Sequence, residues 1–93
     1  MAHYVAIIED AGPDKAVGVW FPDLPGCISA GDDIDDALRN APEALELYAA
    51  NLGRTLPRPR TLTELKADPD VAADINGNMV ALIELGATAH AAE

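Results

Sequence analysis

The sequence predicts an α+β domain, a two-layer sandwich of order βββαβ. Three observations predict it. Apolar runs of strand length lie near both ends of the chain, at His3 to Glu9 and Met79 to Leu85. Between them, Ile34, Leu38, Ala41, Leu45, Tyr48 and Leu52 recur at spacings of three or four, the stripe of a long helix. Ninety-three residues can hold only one core, so that helix must pack on the strands.

Each element has a local reason. His3 to Glu9 carries apolar residues on both faces, which predicts a strand central in its sheet or covered on both sides. Asp10-Ala11-Gly12-Pro13-Asp14 reads as a turn, and Lys15 to Phe21 as the second strand of a hairpin. On that strand Val17, Val19 and Phe21 share one face, and Gly18 and Trp20 the other. Pro22-Asp23-Leu24-Pro25-Gly26 must be a tight loop, because its prolines cannot donate to a ladder and Gly26 can take a positive φ. Cys27 to Ala30 is a short third strand. Asp33 is the predicted N-cap of the long helix, with Asp36 in the position of a capping-box acid and Gly53 as the stop. Pro42 conflicts with the helical stripe and predicts a kink or a break there, at about 3 kcal/mol. Thr61-Leu62-Thr63-Glu64 is a capping box that opens a short helix ending before Pro69. The last strand follows Asn76-Gly77, and a right-handed crossover predicts that it pairs parallel to the first. The domain is expected to span 1–86, with 87–93 as a flexible tail.

Charge limits the function. The chain carries 16 acids against 6 bases, a formal charge of −10, with ten of the acids and only two of the bases in residues 1–53. A surface built to follow a phosphate backbone is basic, so this balance speaks for a cationic partner or for solubility. The densest acidic point is Asp32-Asp33-Ile34-Asp35-Asp36, next to Gly31. A helix start explains one or two of these carboxylates, but not four. One Cys cannot form an internal disulfide, and neither a secretory leader nor an apolar run of membrane-spanning length is evident. The expectation is a soluble cytoplasmic protein.

Catalytic constellations are sparse. Glu9 or Asp10, Glu43 or Glu46, and Glu84 imitate the carboxylate cluster of a two-metal nuclease, a weak pattern in a domain without a basic track. Cys27 has no electropositive setting to populate its thiolate and reads as a small buried residue. His3 and His90 show no zinc-ligand spacing, and no Gly-rich phosphate loop occurs. No cofactor or metal is expected. Trp20, opposite Phe21, is either covered by a second layer or exposed as an interface anchor.

Tyr4 to Glu9, then Phe21-Pro22-Asp23-Leu24-Pro25-Gly26-Cys27, Gly31-Asp32 with an acidic helix start, Ala37-Leu38, Ala44-Leu45 and Leu56-Pro57-Arg58-Pro59 together resemble the HicB family of type II antitoxins. The resemblance covers about residues 3–85. It implies a degenerate RNase H-like fold and a partner of HicA type, a small basic RNA-cleaving toxin whose active surface is covered. It also implies self-association as a homodimer or homotetramer. Longer members carry a DNA-binding segment after the last strand. About eight residues follow Leu85 here, so direct DNA binding is not expected. On this reading the toxin contacts are Asp23, Asp32, Asp33, Asp35 and Asp36, with Trp20 as an apolar anchor. Pro22, Leu24, Pro25, Gly26 and Gly31 shape the loops. The alternatives are a standalone oligomeric domain with another partner, or a residual metal-dependent nuclease.

Overall fold

The computed structural model describes residues 3–85, so the tail expected at 87–93 lies outside the described residues. The order is β1 (His3–Asp10), β2 (Val17–Trp20), β3 (Ile28–Gly31), α1 (Ile34–Asn51), α2 (Leu62–Lys66), α3 (Pro69–Ile75) and β4 (Met79–Glu84). The four strands form one sheet in the order β3-β2-β1-β4. β1 is thus central, as its two apolar faces require.

Strand alternation sorts the side chains between two faces. Tyr4, Ala6, Ile8, Val17, Val19 and Ile83 are buried on one face with Ala37, Ala41 and Leu45 of α1. The register aligns Ile8 with Val19 and Tyr4 with Ile83, so the core residues stand opposite one another. Val5 and Ile7 point to the other face and are buried too, as is Leu65 of α2. Leu62 borders the same cavity as Val5, and Val71 of α3 borders the same groove as Trp20. The expected two layers therefore carry a partial third, and Trp20 is half-buried beside it.

Two expectations are corrected. β4 runs antiparallel to β1, with His3 opposite Glu84 and Ile8 opposite Met79. A single crossover would have made the pair parallel. Instead the chain traverses the sheet twice, along α1 on one face and along residues 57–78 on the other. The second traverse includes α3, which the sequence reading missed. Asp68 caps it, accepting from the Asp70 amide at 3.1 Å, and Pro69 occupies the first turn. Proline needs no donor there, so Pro69 both follows the end of α2, as expected, and starts a further helix. Of the kink or break expected at Pro42, it is the break that does not occur, since α1 is one helix of 18 residues. The burial of Ala41 and Leu45 around it offsets the lost hydrogen bond to Leu38.

Two contacts fix the path. Gly31 ends β3 where the first turn of α1 passes. A Cβ on it would collide with the Ala37 nitrogen and lie 2.8 Å from the Ala37 Cα. Only glycine allows the helix to start so close to the sheet. The second contact is a clamp across the loop after β2. Asp23, with 7 % of its side chain exposed, accepts from the Arg60 amide at 2.8 Å and from Arg60 Nε at 2.6 Å. Arg60 also reaches Asp68 at 3.1 Å, which holds the Asp68 carboxyl below its ordinary range. Nearby, the Tyr4 hydroxyl donates to the Pro57 carbonyl at 2.6 Å. Together these bonds turn the connector onto the second face.

Gly31→Ala should cost about 1–3 kcal/mol, because the obstruction is backbone and cannot rotate away. Urea unfolding measures it, and an unchanged midpoint would contradict the close approach. Asp23→Ala removes two of the three acceptors of Arg60, leaving Asp68, and should cost about 1–3 kcal/mol by the same assay. A variant as stable as the parent would show that the clamp holds nothing. At Glu64, first the Arg58 guanidinium at 2.9 Å and then the Thr61 amide hold the carboxyl at about 2, against an ordinary 4.5. A depressed folded pKa stabilises fully above 4.5, and that contribution disappears as pH falls through about 2. An NMR titration should find Glu64 restored toward 4.5 by Arg58→Gln. No movement would assign the shift to the cap alone.

Candidate functional site

The acidic end of the molecule is built by helix capping. Asp33 is the N-cap of α1 and accepts from the Asp36 amide at 2.8 Å. Asp36 reaches back to accept from the Asp32 amide at 3.0 Å, and Arg39 donates to its other oxygen at 3.3 Å. These bonds, the amide first, hold the Asp36 carboxyl below its usual range. Asp33 and Asp36 are thus occupied by the helix start. Asp32 and Asp35 are exposed, and their carboxylates have no hydrogen-bond partner among the described residues.

The hairpin turn enlarges this end. Asp10 of β1 shares a groove of about 380 Å³ with Asp32, Asp33 and Asp35. Asp14 lies beside Asp32 in an adjoining depression with Lys15. The sequence reading did not single out Asp10 and Asp14 for this surface. They are 18 or more positions from Asp32–Asp35, and only the β1–β2 hairpin brings them close. The available signal was a turn flanked by acids. Asp23 is not at this end. The clamp places it at the opposite end of β2, inside an ion pair.

An apolar surface adjoins the β3 edge. Ile28 is 70 % exposed and Leu47 is 58 % exposed. They line one groove with Cys27, Ala44 and Tyr48. Ile28 also borders the groove of Trp20 and Val71, so it joins the two. Asp70 and Asp74 line that second groove, so acids flank the apolar centre. The loop before β3 holds Ile28 in place. Leu24 donates to the Phe21 carbonyl and Cys27 to the Leu24 carbonyl, each at 3.0 Å, and Gly26 sits at φ 87. Leu24 is buried in the core, and the Tyr48 hydroxyl donates to the Pro25 carbonyl at 3.1 Å.

Among the described residues, the carboxylates that imitate a two-metal nuclease are spread along the sheet. Glu9 stands near one end of β1, whereas Glu84 pairs opposite His3 at the other end, about 20 Å along the strand. Carboxylates so far apart cannot share a pair of metal ions. Among the described residues no three His, Cys, Asp or Glu side chains are grouped to hold a metal ion. Burial pushes the Cys27 thiol up, and its Sγ lies 3.8 Å from the Ala44 carbonyl. No described helix is long and apolar enough to cross a membrane.

A family model described as the HicB-like antitoxin of bacterial toxin–antitoxin systems matches residues 4–92. The crystal structure of the Burkholderia pseudomallei antitoxin HicB superposes with a TM-score of 0.71 at 30% identity, over 91% of this chain and 64% of that one. A chain of the HicA3 and HicB3 toxin–antitoxin complex superposes at 0.65 with 26% identity, over 89% and 96%. An uncharacterized 14.9 kDa protein of Haemophilus phage HP1 is 42% identical over 45 residues, 48% of this chain. That match covers 32% of the phage protein, so the chain spans less than two-thirds of either the phage relative or the Burkholderia antitoxin. Fold and sequence together place this chain in the HicB-like antitoxin family of bacterial toxin–antitoxin systems.

Proposed function

We propose that this protein is an antitoxin that binds a small basic RNA-cleaving toxin of HicA type in the cytoplasm and covers its active surface. It does so as a binding protein, without chemistry of its own. The observation that carries this reading is the acidic end, where Asp10, Asp32 and Asp35 share one groove and Asp14 lies alongside. Family membership and the similarity to a chain of a toxin–antitoxin complex support it.

The physics suits masking. Free carboxylates steer a cationic partner and speed its association, while each exposed ion pair adds only about 0–1 kcal/mol. Affinity must then come from desolvated apolar contact. Ile28 and Leu47 supply that contact, with Trp20 at its flank and Asp70 and Asp74 at its border. Asp33 and Asp36 contribute charge while they cap the helix. Asp23, enclosed by Arg60, is assigned to structure and not to the partner.

Asp32→Lys combined with Asp35→Lys should weaken toxin binding at least about tenfold and flatten its dependence on salt. Calorimetry with the co-purified basic partner reads both effects. An unchanged affinity would remove the acidic end from the account.

A further inference from the structure

The groove beside Trp20 has two walls, and they come from different layers. Trp20 and Ile28 belong to the sheet, whereas Asp70, Val71 and Asp74 belong to α3. Asp70 and Asp74 are four positions apart, so they stand one turn from each other with Val71 between them. Both are exposed, and neither carboxylate has a hydrogen-bond partner among the described residues. The two walls are held differently. Phe21 and Leu24, beside Trp20 and Ile28, are buried in the core and fix the sheet wall. α3 buries no residue of its own. A chain of charged bonds ties its start to the loop after β2. Asp68, its N-cap, accepts from Arg60 at 3.1 Å, and Arg60 donates to Asp23 at 2.6 Å. Neither Asp23 nor Asp68 borders the groove.

We propose, resting on the antitoxin reading above, that the Asp23–Arg60–Asp68 chain positions α3 as a movable wall of the partner groove. The occupant is a basic segment of the toxin that carries an apolar side chain. The apolar group rests on Ile28 and Val71, and Lys or Arg beside it meets Asp70 and Asp74. Such a segment touches both walls, so it favours the docked position of α3 over a lifted one. A lifted α3 takes both carboxylates away from Ile28, and apolar contact and charge no longer coincide. Binding and docking therefore reinforce each other by the same factor. Arg60 and Asp68 are positioning residues, since they lie apart from the occupant and act through α3.

Asp68→Asn is the test, because Asn keeps the cap and loses the ion pair with Arg60. In the free chain, amide hydrogen exchange should quicken about fivefold or more in α3 and stay unchanged in α1. In the complex of the parent with the co-purified basic toxin, exchange in α3 should slow about fivefold or more. By calorimetry, Asp68→Asn should weaken toxin binding about fivefold or more, although it lies outside the groove. In a background of Asp70→Asn with Asp74→Asn, that effect should shrink to about twofold or less, because the wall then has little to offer a cation. Exchange that quickens equally in α1 and α3 would make Asp68 merely structural and overturn the proposal. So would α3 amides that the toxin leaves unprotected, an affinity that Asp68→Asn does not change, or an effect undiminished in the Asp70 and Asp74 background. A parent that binds no basic toxin at all is a different result, and it would overturn the antitoxin reading and this proposal together.

Discussion

The fold depends on how closely the first turn of α1 approaches the end of β3. With no side chain on Gly31, the backbone at Asp36 and Ala37 rests against the sheet margin. Everything downstream takes its position from there. Ala37 and Ala41 are small enough to keep the helix near the strands, and Leu45 then fills the centre of the core. The same junction makes the acidic end. A helix that starts at the sheet margin presents its N-cap beside the β1–β2 turn, so capping carboxylates and turn carboxylates share one surface.

A second organising contact operates on the other side of the sheet. Asp23 and Arg60 lie 37 positions apart, yet their bond decides that the connector crosses to the face that α1 leaves open. Asp68 extends the pair to the start of α3. Few apolar side chains support this outer layer. Leu65 is its one fully buried residue, and α3 buries none. Charged and capping bonds therefore contribute a larger share of its order than they do in the core.

Local features were legible in the sequence and long-range ones were not. Apolar runs located β1 and β4, alternation located β2, and the capping residues Asp33 and Thr61 fixed two helix starts. The direction of β4 could not be read, since an apolar strand looks the same from either end. It follows from the number of times the chain crosses the sheet, and α3 carries the second crossing. A signal for that helix existed in Asp68-Pro69-Asp70, an N-cap followed by a proline at the first position. At the acidic end, the cluster Asp32 to Asp36 was visible as a run. Its division into capping and free carboxylates was not, because it depends on which oxygen meets which amide. Asp23 looked like one more surface acid. Its cation is supplied from a distant segment, which spacing alone does not disclose.

Trp20 is the single tryptophan of the chain, and it lies where β2 meets α3. Its indole consequently acts as a built-in optical gauge of the outer layer. Should α3 lift away while the core beneath α1 remains intact, emission would shift to the red with little loss of helical ellipticity, because α3 contributes seven residues to the helix and α1 contributes 18. Fluorescence and circular dichroism are therefore not interchangeable records of unfolding in this molecule, and the gap between them measures how independently its thin side opens.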